Sequence, residues 1–331
     1  MIERTRNSAF SNGSEVHSKF LYGRFGQAGI GILPRGGVMI SRTFGNLVLP
    51  AALAGVLTAS GTPNAQSAAD KTIFVGVVDE AGKPVTDIRL GEILIREDGV
   101  DREVVSVRPA TETLSVALLV DTTPGAEDYI RDIRDGFTGF IRQTASASPG
   151  ARLLLMEFGQ AAIVINPFTT DYEALEKSVN RVFPKRNAAS VLLEALIAAN
   201  QELAKQPSRR RAIVALNMEP SDEQSREEPQ RINETLRLSG AQLWSLSLQK
   251  GTDKNAKRDV VLSQLTKNSG GRREFIVAQS AIPTYLKMYA EALAFQYEVT
   301  FKRPSSAHPK VIQTGTRRKG VRLHSSLFPP D

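Results

Sequence analysis

The chain has no cysteine, three histidines and one tryptophan in 331 residues. Without cysteine there are no disulfide staples, thiolate nucleophiles or zinc–sulfur centres, while the compartment stays open, since cysteine-free chains suit all of them. His17 stands far from His308 and His324 and none has a partnered ligand nearby, so neither a histidine metal cluster nor a Ser-His-Asp constellation has its parts. A basic face is missing too. The net charge of +7 divides into +3 over residues 1–70, +6 over 302–331 and −2 over 71–301. A nucleic-acid binder would instead carry its basic residues on the folded body. What is present is 41% hydrophobic residues, enough for a real core in a chain of roughly two domains.

Residues 47–59 are apolar and Ala/Leu-rich, lie just after Arg42, and lead into the small and polar Ser60-Gly-Thr-Pro-Asn-Ala65-Gln-Ser-Ala-Ala-Asp70. A positive flank, a short apolar core and a small-residue exit are the parts of a secretory signal, and the stretch is shorter than the roughly 20 residues of a membrane span. Read from Met39 the signal has ordinary length. Residues 1–38 are therefore expected to be a disordered extension or to precede the true start, 39–70 to be signal and linker with cleavage near Ala65, and the mature chain to be periplasmic or extracellular with no transmembrane helix. The alternative for 47–59 is a buried Ala-rich helix. Gly26-Gln-Ala-Gly29-Ile-Gly31 follows no strand, so it fails as a phosphate cradle.

Three short strands are expected over 71–110, at Lys71–Val78, Glu92–Arg96 and Glu103–Arg108, with Gly82, Pro84 and the Glu97-Asp98-Gly99 turn as punctuation. This small all-β unit is too small to be confidently stable alone and should pack on the next domain. The adjacent carboxylates Glu97 and Asp98 read as turn chemistry. From Leu114 strands and helices alternate, the pattern of a parallel sheet built from βαβ units. Strands are expected at Leu114–Val120, 152–158, 161–168, 211–216, 242–248, 274–277 and, as the last core strand, 296–301. Helices are expected at 126–143, 173–182, 190–204, 230–239 closed by Gly240, 260–268 and 281–295. Phe158-Gly-Gln160 reads as a hairpin, giving one antiparallel edge strand. The segments 223–228 and 251–257 read as a charged and a polar loop. Trp244 reads as core, Arg209-Arg-Arg211 as a solvated strand entrance, and the basic tail 302–331 as an edge hairpin of Val311–Thr314 with Gly320–Leu323.

The most informative stretch is Leu114-Ser-Val-Ala-Leu-Leu-Val-Asp121-Thr-Thr-Pro-Gly125. A near-continuous apolar run is a strand buried on both faces, and the polar groups closing it sit where open α/β sheets bind ligands.

The alternation over 111–301 resembles a von Willebrand factor A domain, and the mature chain resembles the bacterial secreted VWFA-related group. The residues that carry this are Val77-Val-Asp79, Gly82-Lys-Pro-Val85, Glu97-Asp-Gly99, Tyr297-Glu-Val-Thr-Phe301 and Gly320-Val-Arg322. The resemblance implies an α/β fold: a doubly wound, mostly parallel sheet with helices on both faces, preceded by the small all-β segment. It also implies a metal-ion-dependent adhesion site, in which a divalent ion of Mg²⁺ type takes carboxylate and hydroxyl oxygens. In its first motif, Asp-x-Ser-x-Ser, Asp121 matches, Thr123 keeps a hydroxyl and Gly125 has none. Ser190 stands at the second-motif hydroxyl. Met218 stands at the third-motif Asp, and a thioether is a poor ligand for a hard cation. Glu219 and Asp222 are nearby acids that the register disfavours.

The expected metal ligands are thus Asp121, Thr123 and Ser190, forming a degenerate site with no cofactor beyond a weakly held Mg²⁺ or Mn²⁺. The bare alternative is that Asp121 only caps the next helix. The expected function is a non-enzymatic, exported interaction protein. Its upper face, at Asp121, Thr123, Ser190, Asn217 and Glu219, binds a protein or cell-envelope partner and no nucleic acid. The competing readings are a purely structural domain with a dead site and a metal-assisted hydrolase using Asp121, which lacks a nearby general base.

Overall fold

The computed structural model describes residues 68–252 and 255–330. The expected extension and the expected signal and linker lie outside them up to residue 67, while Ala68–Asp70, the end of the expected linker, open the first strand. In chain order the strands and helices are β1 (Ala68–Asp79), β2 (Ile93–Glu97), β3 (Val100–Arg102), β4 (Val104–Pro109), β5 (Leu114–Val120), α1 (Ile130–Ala147), β6 (Arg152–Glu157), β7 (Ile163–Thr169), α2 (Tyr172–Val179), α3 (Leu192–Ala204), β8 (Arg210–Glu219), α4 (Pro229–Ser239), β9 (Gln242–Gln249), α5 (Ala256–Val260), α6 (Thr266–Asn268), β10 (Arg273–Ile276), α7 (Ile282–Ala294), β11 (Gln296–Pro304), β12 (Ile312–Thr316) and β13 (Val321–His324). A π-helical turn, Val261–Leu265, joins α5 to α6.

The centre is a six-stranded sheet in the order β10-β9-β8-β5-β6-β7. Every pairing in it is parallel except β6 with β7. β5 has no exposed residue along its length, as its unbroken apolar run requires. The period-two alternation divides its side chains between two cores. Val116, Leu118 and Val120 face α1, α2 and α7, packing with Phe137, Phe140, Leu175, Leu286 and Tyr289. Ala117 and Leu119 face α3 and α4, with Leu193, Leu196, Ile232 and Leu236. Trp244 is core, its ring 5.1 Å edge-on from Tyr289. Helix α4 ends as a glycine-capped helix should, with Gly240 at φ +67°.

Two antiparallel sheets make the β module: β13-β1-β11-β4 and β12-β2-β3. The module is built from both ends of the described chain, which differs from the expectation in two respects. Residues 296–301 are not the last strand of the parallel sheet, because β11 lies between β1 and β4, pairing Val299 with Ile73 and Val107. The tail strands are not a hairpin with each other either: β12 pairs with β2, and β13 with β1. The physical reason is the shared core. Ile73, Val75 and Val77 pack with Ile93, Ile95, Tyr297, Val299, Phe301 and Ile312, an apolar set that neither chain end assembles alone.

Glu97 is no turn carboxylate. It is 1% exposed. Its Oε1 accepts from Arg303 Nη2 at 2.6 Å and Nε at 3.0 Å, and its Oε2 from Arg102 Nε at 2.9 Å. It thereby ties β2 and β3 to β11. Asp98 does form the turn, accepting from the backbone N–H groups of Lys310 and Val311. Glu97→Ala leaves two largely buried guanidinium groups without their acceptor, so a loss of about 3–5 kcal/mol is expected in urea unfolding.

His324, on β13, packs its ring 5.1 Å from Trp244. Burial, followed by the charges of Arg272 and Arg322, pushes its imidazole down to about 4. A folded value below the unfolded one means that the neutral form is the stable one, so its contribution is whole above pH 6.5 and is lost progressively as the pH falls to about 4. Melting curves of the wild type and His324→Phe should therefore converge or cross between these limits as acid is added, with the variant showing the flatter dependence.

Candidate functional site

Numbered along the six-stranded sheet, the strand order is 3-2-1-4-5-6, and the direction of winding reverses between β5 and β8. Open α/β sheets bind ligands at such a switch point, outside the carboxyl ends of the strands. Asp121 is the first residue beyond β5, held in the ladder by its N–H to Leu216 O at 3.1 Å.

Asp121 is fully engaged there. Its Oδ1 accepts from the Thr123 N–H at 3.0 Å and from Thr123 Oγ1 at 2.6 Å, while Oδ2 accepts from the Met218 N–H at 3.0 Å. It does not cap the next helix: Thr123 is the N-cap of the 3₁₀ turn Pro124–Tyr129, and no side-chain hydrogen bond caps that turn. Met218 turns its side chain to the α1/α7 core and offers only its backbone.

The neighbouring loops are stitched to one another. Thr122 Oγ1 accepts from the Gly159 N–H at 3.1 Å, and Thr122 O from the Lys185 N–H at 2.8 Å. The Gln160 N–H reaches Ala189 O at 2.7 Å, and Ser190 bridges Asp222 and Gln224 through its own N–H and C=O. A Cβ at Gly159 would lie 2.6 Å from Thr122 Oγ1 and 2.9 Å from its backbone, so this approach depends on glycine.

The doubly wound sheet, its antiparallel edge strand and Asp121 at the switch point are now in place. Its fold is von Willebrand factor A-like. No family model matches the sequence, and no curated protein matches it. Among solved structures it is similar to the SpRpn10 VWA domain at 13% identity and a TM-score of 0.42, over 51% of this chain and 93% of that one. It is similar to the PilB minor pilin from Streptococcus sanguinis at 10% and 0.44, over 56% of this chain and 62% of the pilin. It is similar to a von Willebrand factor type A protein from Catenulispora acidiphila at 11% and 0.45, over 81% and 76%.

Two residues at the centre of this site were not anticipated. Arg258, on α5, is 2% exposed. Its Nη1 donates to Ser190 Oγ at 2.9 Å and to Glu223 Oε2 at 3.2 Å, and its Nη2 donates to Met218 O at 3.3 Å and lies 3.6 Å from Asp121 Oδ2. Glu223 Oε2 also accepts from Ser190 Oγ at 2.8 Å, and its Oε1 from the Leu192 N–H at 3.2 Å. Arg258 was hidden because the helix was expected to begin at 260. It begins at Ala256, and the signal was Asn255, whose side chain accepts from the Arg258 N–H at 3.1 Å as an N-cap. Glu223 was hidden in a segment read as an exposed charged loop.

The expected set divides accordingly. Asp121, Thr123 and Ser190 converge, the first and last on Arg258. Asn217 is held by β9 instead, its Nδ2 donating to Ser245 Oγ at 2.8 Å. Glu219 turns away, its Oε1 accepting from Ser247 Oγ at 2.7 Å and Arg273 Nη2 at 2.9 Å. Asp222 is exposed and holds Gln224. None of the five expected contact residues is more than 6% exposed, so as direct contacts they are corrected: they lie beneath the rim. The expectation for Arg209-Arg-Arg211 holds only for exposed Arg209. Arg210 is buried, donating to Gln296 and to the Leu293 and Ala294 carbonyls, and Arg211 donates to the Gln206, Ser208 and Ser239 carbonyls.

A divalent ion does not fit this arrangement. Asp121 and Ser190 already face a guanidinium, Thr123 Oγ1 is spent on Asp121, and each carboxylate oxygen of Asp121 has a donor. Asp121→Ala removes three hydrogen bonds and one of the two counter-charges of a buried arginine. A loss of about 3–5 kcal/mol is expected in chemical denaturation, with Asp121→Asn losing less.

Proposed function

We propose that this is an exported, non-enzymatic interaction protein. In this reading the upper rim of its A-type domain docks a protein or cell-envelope partner over a degenerate metal-ion-dependent adhesion site. The observation that carries the reading is the stitched rim at the switch point. Backbone hydrogen bonds join the 121–125, 158–160, 185–190 and 222–224 segments into one surface, and Pro124, Gln160, Asn187 and Gln224 stand exposed on it. A surface pre-ordered in this way loses little entropy on binding. Against hydrolysis, both oxygens of Asp121 are occupied by donors and the carboxylate is covered, which leaves it without a free valence for a substrate or a water. Among the described residues no helix is long and apolar enough to cross a membrane.

The test is capture of envelope proteins by the full chain. Gln160→Arg combined with Asn187→Glu should abolish capture while leaving the melting temperature unchanged, and EDTA should leave capture intact. Capture that survives the rim variant, or turnover of any ester or phosphate that disappears in Asp121→Ala, overturns the reading.

A further inference from the structure

We propose that the Arg258 guanidinium is a built-in cation, standing where the adhesion site of this fold holds its divalent ion. Four arguments converge. First, the shell around its two terminal nitrogens is made only of oxygens: the Ser190 hydroxyl, the Glu223 carboxylate, the Met218 carbonyl and, at 3.6 Å, the Asp121 carboxylate. That donor set is the one a hard cation takes.

Second, the shell is not local to the arginine. Asp121 comes from the end of β5, Met218 from β8, and Ser190 and Glu223 from two loops. Arg211, by contrast, takes two of its acceptors, Gln206 and Ser208, from neighbours in sequence. Arg258 instead gathers Asp121 and Ser190, two of the positions that the resemblance assigns to metal ligation.

Third, the charges fit. Asp121 and Glu223 together carry −2, and both are essentially without exposed side-chain surface. Remove the arginine and two buried carboxylates remain around a vacated space, which is what one divalent ion neutralises. Fourth, the position is prepared rather than incidental. The Asn255 cap starts α5 at the turn that delivers Arg258, and the helix widens into a π turn directly after it, a feature that often marks functional positions.

The consequence is that the cation cannot dissociate. A metal-bearing site empties in chelator and refills with ion, whereas this one is indifferent to both. This holds whether or not the rim docks a partner.

The experiment follows the melting temperature and bound Mn²⁺ of the full chain, by electron paramagnetic resonance, in EDTA and in saturating Mn²⁺. The wild type should bind no Mn²⁺ at this site and melt alike in both. Arg258→Ala should melt lower in EDTA and recover in Mn²⁺, by about 5–10 °C at saturation, and adding Asp121→Asn should remove that recovery. Arg258→Lys keeps a positive charge at the position and should stay indifferent to Mn²⁺. Three outcomes overturn the proposal: wild-type Mn²⁺ binding that Asp121→Asn abolishes, a folded Arg258→Ala that gains nothing from Mn²⁺, or equal Mn²⁺ stabilisation of Arg258→Lys and Arg258→Ala. Should Arg258→Ala not fold in EDTA, its refolding is followed instead: recovery in Mn²⁺ alone supports the proposal, and none in either condition overturns it.

Discussion

The upper edge of this domain depends on one buried positive charge. A guanidinium removed from water must find acceptors and counter-charges or destabilise the fold by several kcal/mol. Arg258 finds them on a strand end, a neighbouring strand's carbonyl and two loops. Each donor–acceptor contact fixes one segment relative to the others. The gain is geometric more than energetic, since the Coulomb attraction of a buried pair is largely offset by desolvation. A planar, forked cation imposes directions, and the loops that answer it have few alternatives. A second arginine continues the pattern: Arg273 joins Glu219 to Asp259, so the carboxyl end of β8, the start of β10 and α5 are held by alternating charge.

The same device reappears where the chain's two ends meet. Glu97, between Arg102 and Arg303, holds the three-stranded sheet to the four-stranded one. The β module is therefore completed by β11, which lies between β1 and β4. An N-terminal segment of three short strands had seemed too small to stand alone, and the structure gives the reason: its apolar face is completed by Tyr297, Val299, Phe301 and Ile312. The hydroxyl of Tyr297 adds to this, accepting from the Ile88 N–H and donating to Val85 O, both at 3.0 Å.

The range of each interaction decided whether the sequence revealed it or hid it. Leu114–Val120 was legible as a doubly buried strand because an unbroken apolar run says so locally, and Gly240 as a helix stop because the left-handed cap is a local need. Asp121, Thr123 and Ser190 were legible as neighbours only through the resemblance, whose motif positions they occupy. The partners of residues 296–301 were not, since an alternating strand pairs equally well in either sheet by local pattern. Arg258 and Glu97 were hidden for a deeper reason. A charged residue in a polar stretch is ordinarily solvated, and only tertiary contacts, to Asp121 across the sheet for one and to Arg303 near the other end for the other, reverse that expectation.

An exchangeable ion and a tethered guanidinium differ in what they leave open. A hexacoordinate cation held by a few protein oxygens keeps positions filled by water, and a partner's carboxylate can replace one of them. Arg258 spends both terminal nitrogens on the chain's own oxygens, and Glu223 already supplies the carboxylate that a visitor would bring. No coordination valence is left for a visitor. Under the proposed function, recognition rests on the area and shape of the rim, at Pro124, Gln160, Asn187 and Gln224, rather than on a single charged bond at its centre, and a partner docked there by complementarity over many weak contacts needs no divalent ion.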